Sequence, residues 1–206
     1  MSAPSSLTSA VAVIAAILGV ALALYATIRA ARPQAPGQGF GWMVIAGSGY
    51  VLLALAAAMR APHGDGLRAA AIQAGAVLLA AALGGLCLGE SKDGSDFSKR
   101  FAAAALAAAW LTLLGLPPMV GFHARVLVYR SLLQAGWHGT VALALAVSAA
   151  GLVPAFSALS LGCPGRLRGA RGALALFLLL ALLVGGIYPG FAVSTADYLL
   201  AALGVR

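Results

Sequence analysis

Apolar residues run along this chain in long blocks, and the positions of the ionisable side chains show where the blocks stop. Setting His, Cys and Tyr aside, no ionisable residue occurs in 1–28, 33–59, 69–89, 101–124, 131–165 or 172–196. A helix rising 1.5 Å per residue needs about 20 mostly apolar residues to cross a hydrocarbon core of roughly 30 Å, so each block accommodates one crossing. The pattern predicts six transmembrane helices, at about 7–30, 40–60, 67–88, 101–134, 139–161 and 171–189, and a short C-terminal tail over about 192–206 with a helix of its own. Segments of about ten residues alternating apolar and polar, which would mark a membrane barrel, are missing. The connections are rich in breakers or charge. They are Arg32 to Gly39, Pro62-His63-Gly64-Asp65-Gly66, Gly89 to Ser98 and Gly162-Cys163-Pro164-Gly165.

Composition narrows the solvent. Of 206 residues 62% are hydrophobic and 9% charged, with a mean hydropathy of +0.99. A soluble domain carries roughly a quarter charged residues on its wetted surface, so this chain is solvated by lipid and reads as one transmembrane domain, 1–206. Small-residue stretches such as Ala69-Ala70-Ala71 and Ala102 to Ala105 would let helix backbones approach closely, as packing in lipid requires. Met1 to Ser9 hold no basic residue, so neither a cleaved signal peptide nor an Arg-rich transit peptide is expected.

The net charge of +8 is distributed unevenly. Six crossings put the 31–39, 89–100 and 162–171 connections on one side, with Arg29, Arg32, Lys92, Lys99, Arg100, Arg166, Arg168 and Arg171 in or beside them. The other side has Arg60, Arg68, Arg130 and Arg206. The positive-inside rule then places the three basic connections in the cytoplasm or matrix and both termini opposite. Cys87 and Cys163 form neither a metal pattern nor a disulfide framework, and His63, His138 and Asp197 read as solvated groups in connections or the tail.

The fourth helix is the unusual one. A straight helix over 101–134 would be about 50 Å long, far beyond the hydrocarbon core. Gly115-Leu116-Pro117-Pro118 interrupts it, because two prolines remove two backbone donors and crowd the preceding turn. In lipid such a break is tolerated only when buried in protein or lining a wet cavity. Gly121, His123 and Arg125 follow at once, which places His123 and Arg125 deep in the membrane beside a discontinuous helix. Two readings are open. An ionisable residue at such a break points to an ion or proton pathway, in which an imidazole changes charge near neutral pH while a guanidinium supplies fixed charge. Alternatively, Arg125 snorkels or pairs with a backbone carbonyl freed by the break.

The stretch Leu111 to Tyr129, LTLLGLPPMVGFHARVLVY, closely resembles the SLAGIPPxAGFxxKFxxF signature of the antiporter-like subunit N of respiratory complex I, called NADH dehydrogenase subunit 2 in mitochondria. Gly115, Pro117, Pro118, Gly121, Phe122 and a basic residue at 125 are all in register. Gly49-Tyr50 followed by Val-Leu-Leu-Ala-Leu resembles that family's GYLLLGL helix, and Leu174 to Pro189-Gly190 its last helix, which ends in LFPG. The resemblance runs over most of the chain in order, yet corresponds to only the last six of the family's fourteen helices. Three features depart from the family pattern. Met43-Val44 replaces two serines, Gly37-Gln38 an expected charged loop, and Arg125 the central lysine of the broken helix.

The resemblance implies a membrane-arm subunit of NADH:ubiquinone oxidoreductase, equivalent to the second of two inverted repeats. It would contribute to proton translocation coupled to quinone reduction, or to the scaffold of the pumping arm. It implies other membrane-arm subunits as partners, including a separate chain supplying the N-terminal half, together with lipids and no nucleic acid. Redox chemistry would lie elsewhere, since no cofactor is expected on this chain, which offers no Cys ligand set and no glycine-rich phosphate loop. A related cation/proton antiporter or membrane-bound hydrogenase shares the GxPP break, and a purely structural membrane subunit is a further alternative. The location implied is an energy-coupling membrane, the mitochondrial inner membrane being preferred to the bacterial plasma membrane.

Overall fold

A charge-free run becomes a helix here because lipid offers no partner for backbone N–H and C=O groups, which a helix satisfies within itself. The computed structural model describes residues 6–32, 36–61, 65–88, 96–160, 167 and 169–204, and among them the regular elements are all helices. They are α1 (Ser6–Ala30), α2 (Pro36–Arg60), α3 (Gly66–Cys87), α4 (Asp96–Leu114), α5 (Val120–Gln134), α6 (His138–Ala150), α7 (Leu152–Ser160), α8 (Gly169–Ile187) and α9 (Pro189–Ala202). Six helical stretches are long and apolar enough to cross a membrane: α1, α2, α3, α4, α6 with α7, and α8. At 15 residues α5 is about 22 Å long, and it continues the crossing that α4 begins.

Besides the earlier starts of α2, at Pro36 rather than near 40, and of α9, at Pro189 rather than near 192, two boundaries differ from the sequence expectation. The fourth helix starts at Asp96 rather than near 101, because the polar residues up to Arg100 form its first turns. The fifth, expected as one helix over 139–161, is interrupted at Gly151. Pro154 has no N–H for the carbonyl of Ala150, and its ring crowds that carbonyl, so α6 stops there and α7 restarts at Leu152.

Hydrophobicity does not drive helices together inside lipid, so close packing must. Between α1 and α2 that packing runs through glycines: a Cβ on Gly49 would lie 2.6 Å from the Gly19 carbonyl oxygen, and one on Gly19 2.8 Å from that of Gly49. Around this seam one cluster gathers Tyr50, Leu53, Val128 and Leu132, while a second joins Phe40, Leu83, Trp110, Leu113 and Leu182. Ile14, Ile17, Phe177 and Leu180 point outward, the arrangement expected of lipid-facing positions.

Polar contacts mark the two ends of the bundle. At one, Ser98 Oγ donates to the Leu167 carbonyl at 3.1 Å and accepts from the Leu167 N–H at 3.2 Å, joining the start of α4 to the segment before α8. At the other, Asp65 pairs with Arg130 at 3.1 Å and with Arg68 at 4.0 Å, and its N–H donates to Gln134 Oε1. Asp197 joins this group by an ion pair with Arg68. The C-terminal helix therefore starts at Pro189 and lies along α3, with Ala196 buried. Because Arg68 and Asp197 are 48% and 41% exposed, the pair is worth only ~0.2–1 kcal/mol. Asp197→Ala is expected to leave the melting temperature within a few degrees while increasing proteolysis within α9; a large drop in melting temperature would show that this contact holds the bundle.

Candidate functional site

The site is built by the way α4 ends. Gly115 takes φ 72°, a left-handed conformation that suits glycine. This lets Leu116 N–H reach the Leu111 carbonyl at 2.9 Å and Gly115 N–H the Thr112 carbonyl at 3.1 Å, the paired bonds of a Schellman cap. The next two carbonyls, Leu113 and Leu114, would ordinarily receive the N–H groups of residues 117 and 118. Both positions are proline, joined here by a cis peptide, so the helix leaves two acceptors exposed inside the bundle.

Arg125 answers one of them. It lies one turn into α5, is 3% exposed, and donates from NH2 to the Leu113 carbonyl at 2.7 Å. From NH1 it donates to Ser148 Oγ on α6 at 3.1 Å. The guanidinium carbon lies over the Tyr50 ring, 3.1 Å from its centroid, near the midpoint of α2. Pairing with a freed carbonyl, the second reading of this residue from sequence, is what the geometry contains. Nε is buried without a hydrogen-bond partner, and among the described residues no carboxylate pairs with the charge.

Ser148 organises the rest. The Tyr50 hydroxyl is 2.6 Å from the Ala144 carbonyl, which can only accept, so its single proton points there. Ser148 therefore donates to the Tyr50 oxygen at 2.7 Å and accepts from Arg125 and from the Tyr129 hydroxyl at 2.8 Å. Every hydroxyl in the cluster is satisfied, and its proton order runs from Tyr129 through Ser148 and Tyr50 to a carbonyl that ends it. Beside it lies a cavity of about 280 Å³ lined by Arg125, Tyr129 and Ser148 and by the apolar Leu116, Phe122, Val126 and Leu145.

His123 faces elsewhere. Two residues along a helix are about 200° apart, so His123 and Arg125 point to opposite sides of α5. His123 Nε2 donates to the Gly186 carbonyl of α8 at 2.6 Å, which fixes that nitrogen as the protonated one in the neutral ring. The two residues singled out from sequence are thus held apart: Arg125 joins α4 to α2 and α6, and His123 joins α5 to α8. The glycines between them serve close approach. A Cβ on Gly121 would fall inside the Thr112 carbonyl, and one on Gly186 inside the Pro118 carbonyl, so the break is packed backbone against backbone on two sides. Gly115 likewise leaves room for the Arg125 side chain.

Tyr50, Tyr129 and Ser148 did not stand out in the sequence as site residues. Ser148 could have done so, being the one hydroxyl in the apolar run 141–156, and so could Tyr50, which stands at the middle of the predicted second helix, away from the interfaces where aromatics gather. Cys87 is buried at the end of α3, His138 starts α6 at the surface, and His63 and Cys163 lie outside the described residues.

No family model matches the sequence, and no curated protein matches it. Solved structures do share the fold. A chain of the Mrp complex from Dietzia sp. DQ12-45-1b superposes with a TM-score of 0.68 at 19% identity over 91% of this chain and 46% of that one. Chains of respiratory complex I from Thermus thermophilus give 0.67 at 23% identity with bound aureothin, and 0.65 at 22% with bound NADH. They cover 88% and 95% of this chain and 44% and 45% of theirs, so it spans less than half the length of each of these three chains.

Proposed function

We propose that this multi-pass chain is a non-redox membrane subunit of a proton-translocating NADH:ubiquinone oxidoreductase, equivalent to the C-terminal half of the antiporter-like subunit N, with the other half supplied by a separate chain. The observation that carries the reading is the capped break between α4 and α5. Gly115, Pro117, Pro118, Gly121 and Phe122, the residues that match the family signature, sit at the turn, and a buried cation occupies the register of its lysine. The likeness to complex I chains supports the family reading. The similar score against the Mrp complex favours, as a second reading, a subunit of a related cation/proton antiporter.

Within such a complex this half acts as a scaffold that carries fixed charge. A guanidinium bound on its face and two edges cannot cycle a proton, and His123 spends Nε2 on a carbonyl. Transfer through His123 would have to use Nδ1 alone.

Two measurements test this. Purification of the native complex followed by mass spectrometry is expected to find a chain with the fold of the missing half; recovery with antiporter subunits only would select the second reading. In the assembled complex, His123→Ala should weaken the α5–α8 contact by about 1 kcal/mol and leave the number of protons moved per electron unchanged. A lowered stoichiometry would overturn the scaffold role.

A further inference from the structure

Arg125 brings a permanent positive charge to the middle of the bundle, and among the described residues no carboxylate pairs with it. The chain's five acidic residues are Asp65, Glu90, Asp93, Asp96 and Asp197. Asp65 and Asp197 are engaged with Arg68 and Arg130 at one end of the bundle, and Glu90, Asp93 and the side chain of Asp96 lie outside what the structure describes. The contacts Arg125 does make are to neutral groups: a carbonyl, a hydroxyl and an aromatic face. These orient the guanidinium without cancelling its charge, and in a low-dielectric interior an uncancelled charge attracts a counter-charge over many ångströms. The Nε–H is left over, in a side chain 97% buried against a cavity of about 280 Å³.

The cavity is rimmed by side chains that need cover. Val126 and Leu145, which line it, are 45% and 49% exposed, and Phe122 and Leu116 complete an apolar surround. An apolar rim around one buried cation suits a membrane-spanning helix bearing a single carboxylate. The helix would cover the rim, and the carboxylate would accept from the unused guanidinium donors, a charge-assisted bond that a hydrated inorganic anion could make only after losing its water.

We infer that the α5–α6 face over this cavity is the docking surface for a transmembrane helix of a neighbouring chain, whose Asp or Glu side chain enters the cavity and pairs with Arg125. The inference deepens the function proposed above and rests on it only for the presence of a neighbouring membrane chain; it holds equally in either type of complex.

The test leaves Arg125 intact at first. A photo-crosslinking amino acid placed at Leu145 or Val126, in the complex isolated from native membranes, is expected to capture one helix with an Asp or Glu within a turn of the attachment point. Arg125→Met, which keeps the length of the side chain, should then lower the yield of intact complex by at least about thirtyfold, since it strands the partner's carboxylate. Converting that carboxylate to its amide in the same complex should restore the yield. Capture of lipid only, or of a helix with no carboxylate in reach, would overturn the inference. So would a failure of the amide to restore assembly. Capture of an acidic helix from a chain unrelated to the antiporter-like fold would support the inference and count against the function proposed above.

Discussion

Arg125→Ala is expected to leave little folded chain in the membrane even when this chain is expressed without its neighbours, whereas Arg125→Met under the same conditions should accumulate close to the unmodified level. Three effects compete. Removing the guanidinium orphans the Leu113 carbonyl in a place without water, a cost of about 1–3 kcal/mol. Cutting the side chain to a methyl also empties space against Gly115 and Tyr50, and large-to-alanine changes of this kind cost about 2–5 kcal/mol. Against these stands relief from holding an arginine at mid-depth, about 2.5–3.5 kcal/mol on insertion-derived scales. Alanine takes both losses and one gain, ending destabilised by up to several kcal/mol out of a typical total of about 5–15. Methionine keeps the volume, so its one loss and one gain nearly cancel. Steady-state levels and protease resistance of the full chain in membranes measure this. Equal levels for the two variants would show that the packed volume at this position does not matter.

A second large effect is expected at Gly121. Its Cβ would overlap the Thr112 carbonyl oxygen, and that obstacle is backbone of a capped helix end. Neither side can yield without separating α5 from α4, which also moves Arg125 away from Leu113. Gly121→Ala should therefore cost more than the ~1–3 kcal/mol of ordinary overpacking and abolish accumulation. The control has the opposite sign. Gly75, inside α3, has open space where a Cβ would stand, so Gly75→Ala should gain up to about 1 kcal/mol from helix propensity. A Gly121→Ala chain as abundant as the unmodified one would show that the α4–α5 junction is looser than its geometry.

What could be read from the sequence followed from the two strongest penalties in lipid. Charge is costly there, so the gaps between charged residues marked the crossings. Unpaired backbone is costly too, so Pro117-Pro118 marked the break. Where the competing terms are weaker, the reading fell short. Pro154 alone, beside Gly151, interrupts a helix that its apolar run made look continuous. The charge of Asp96, Lys99 and Arg100 looked like a connection, although a helix can extend beyond the hydrocarbon at no cost to its backbone. Asp197 looked like a solvated tail because its partner, Arg68, is 129 positions away. At the site, Arg125 and the glycines at 115 and 121 were visible as a motif. From sequence, His123 was grouped with Arg125 beside the break, although a spacing of two residues on a helix already turns them to opposite faces. The Ser148 hub needed the structure, since it depends on α6 lying across the break.

The backbone contact at Gly186 also bears on how such a chain can change over generations. No side chain fits between α8 and the carbonyl of Pro118, so replacement at 186 is acceptable only if the turn at 117–121 has already moved, and that turn cannot move while Gly121 is pressed on Thr112. Positions 115, 121 and 186 are thus tied to one another although 71 residues separate the first from the last. Among descendants of this sequence they should be kept together or exchanged together, and a lineage that has lost one of them should show the others drifting as well.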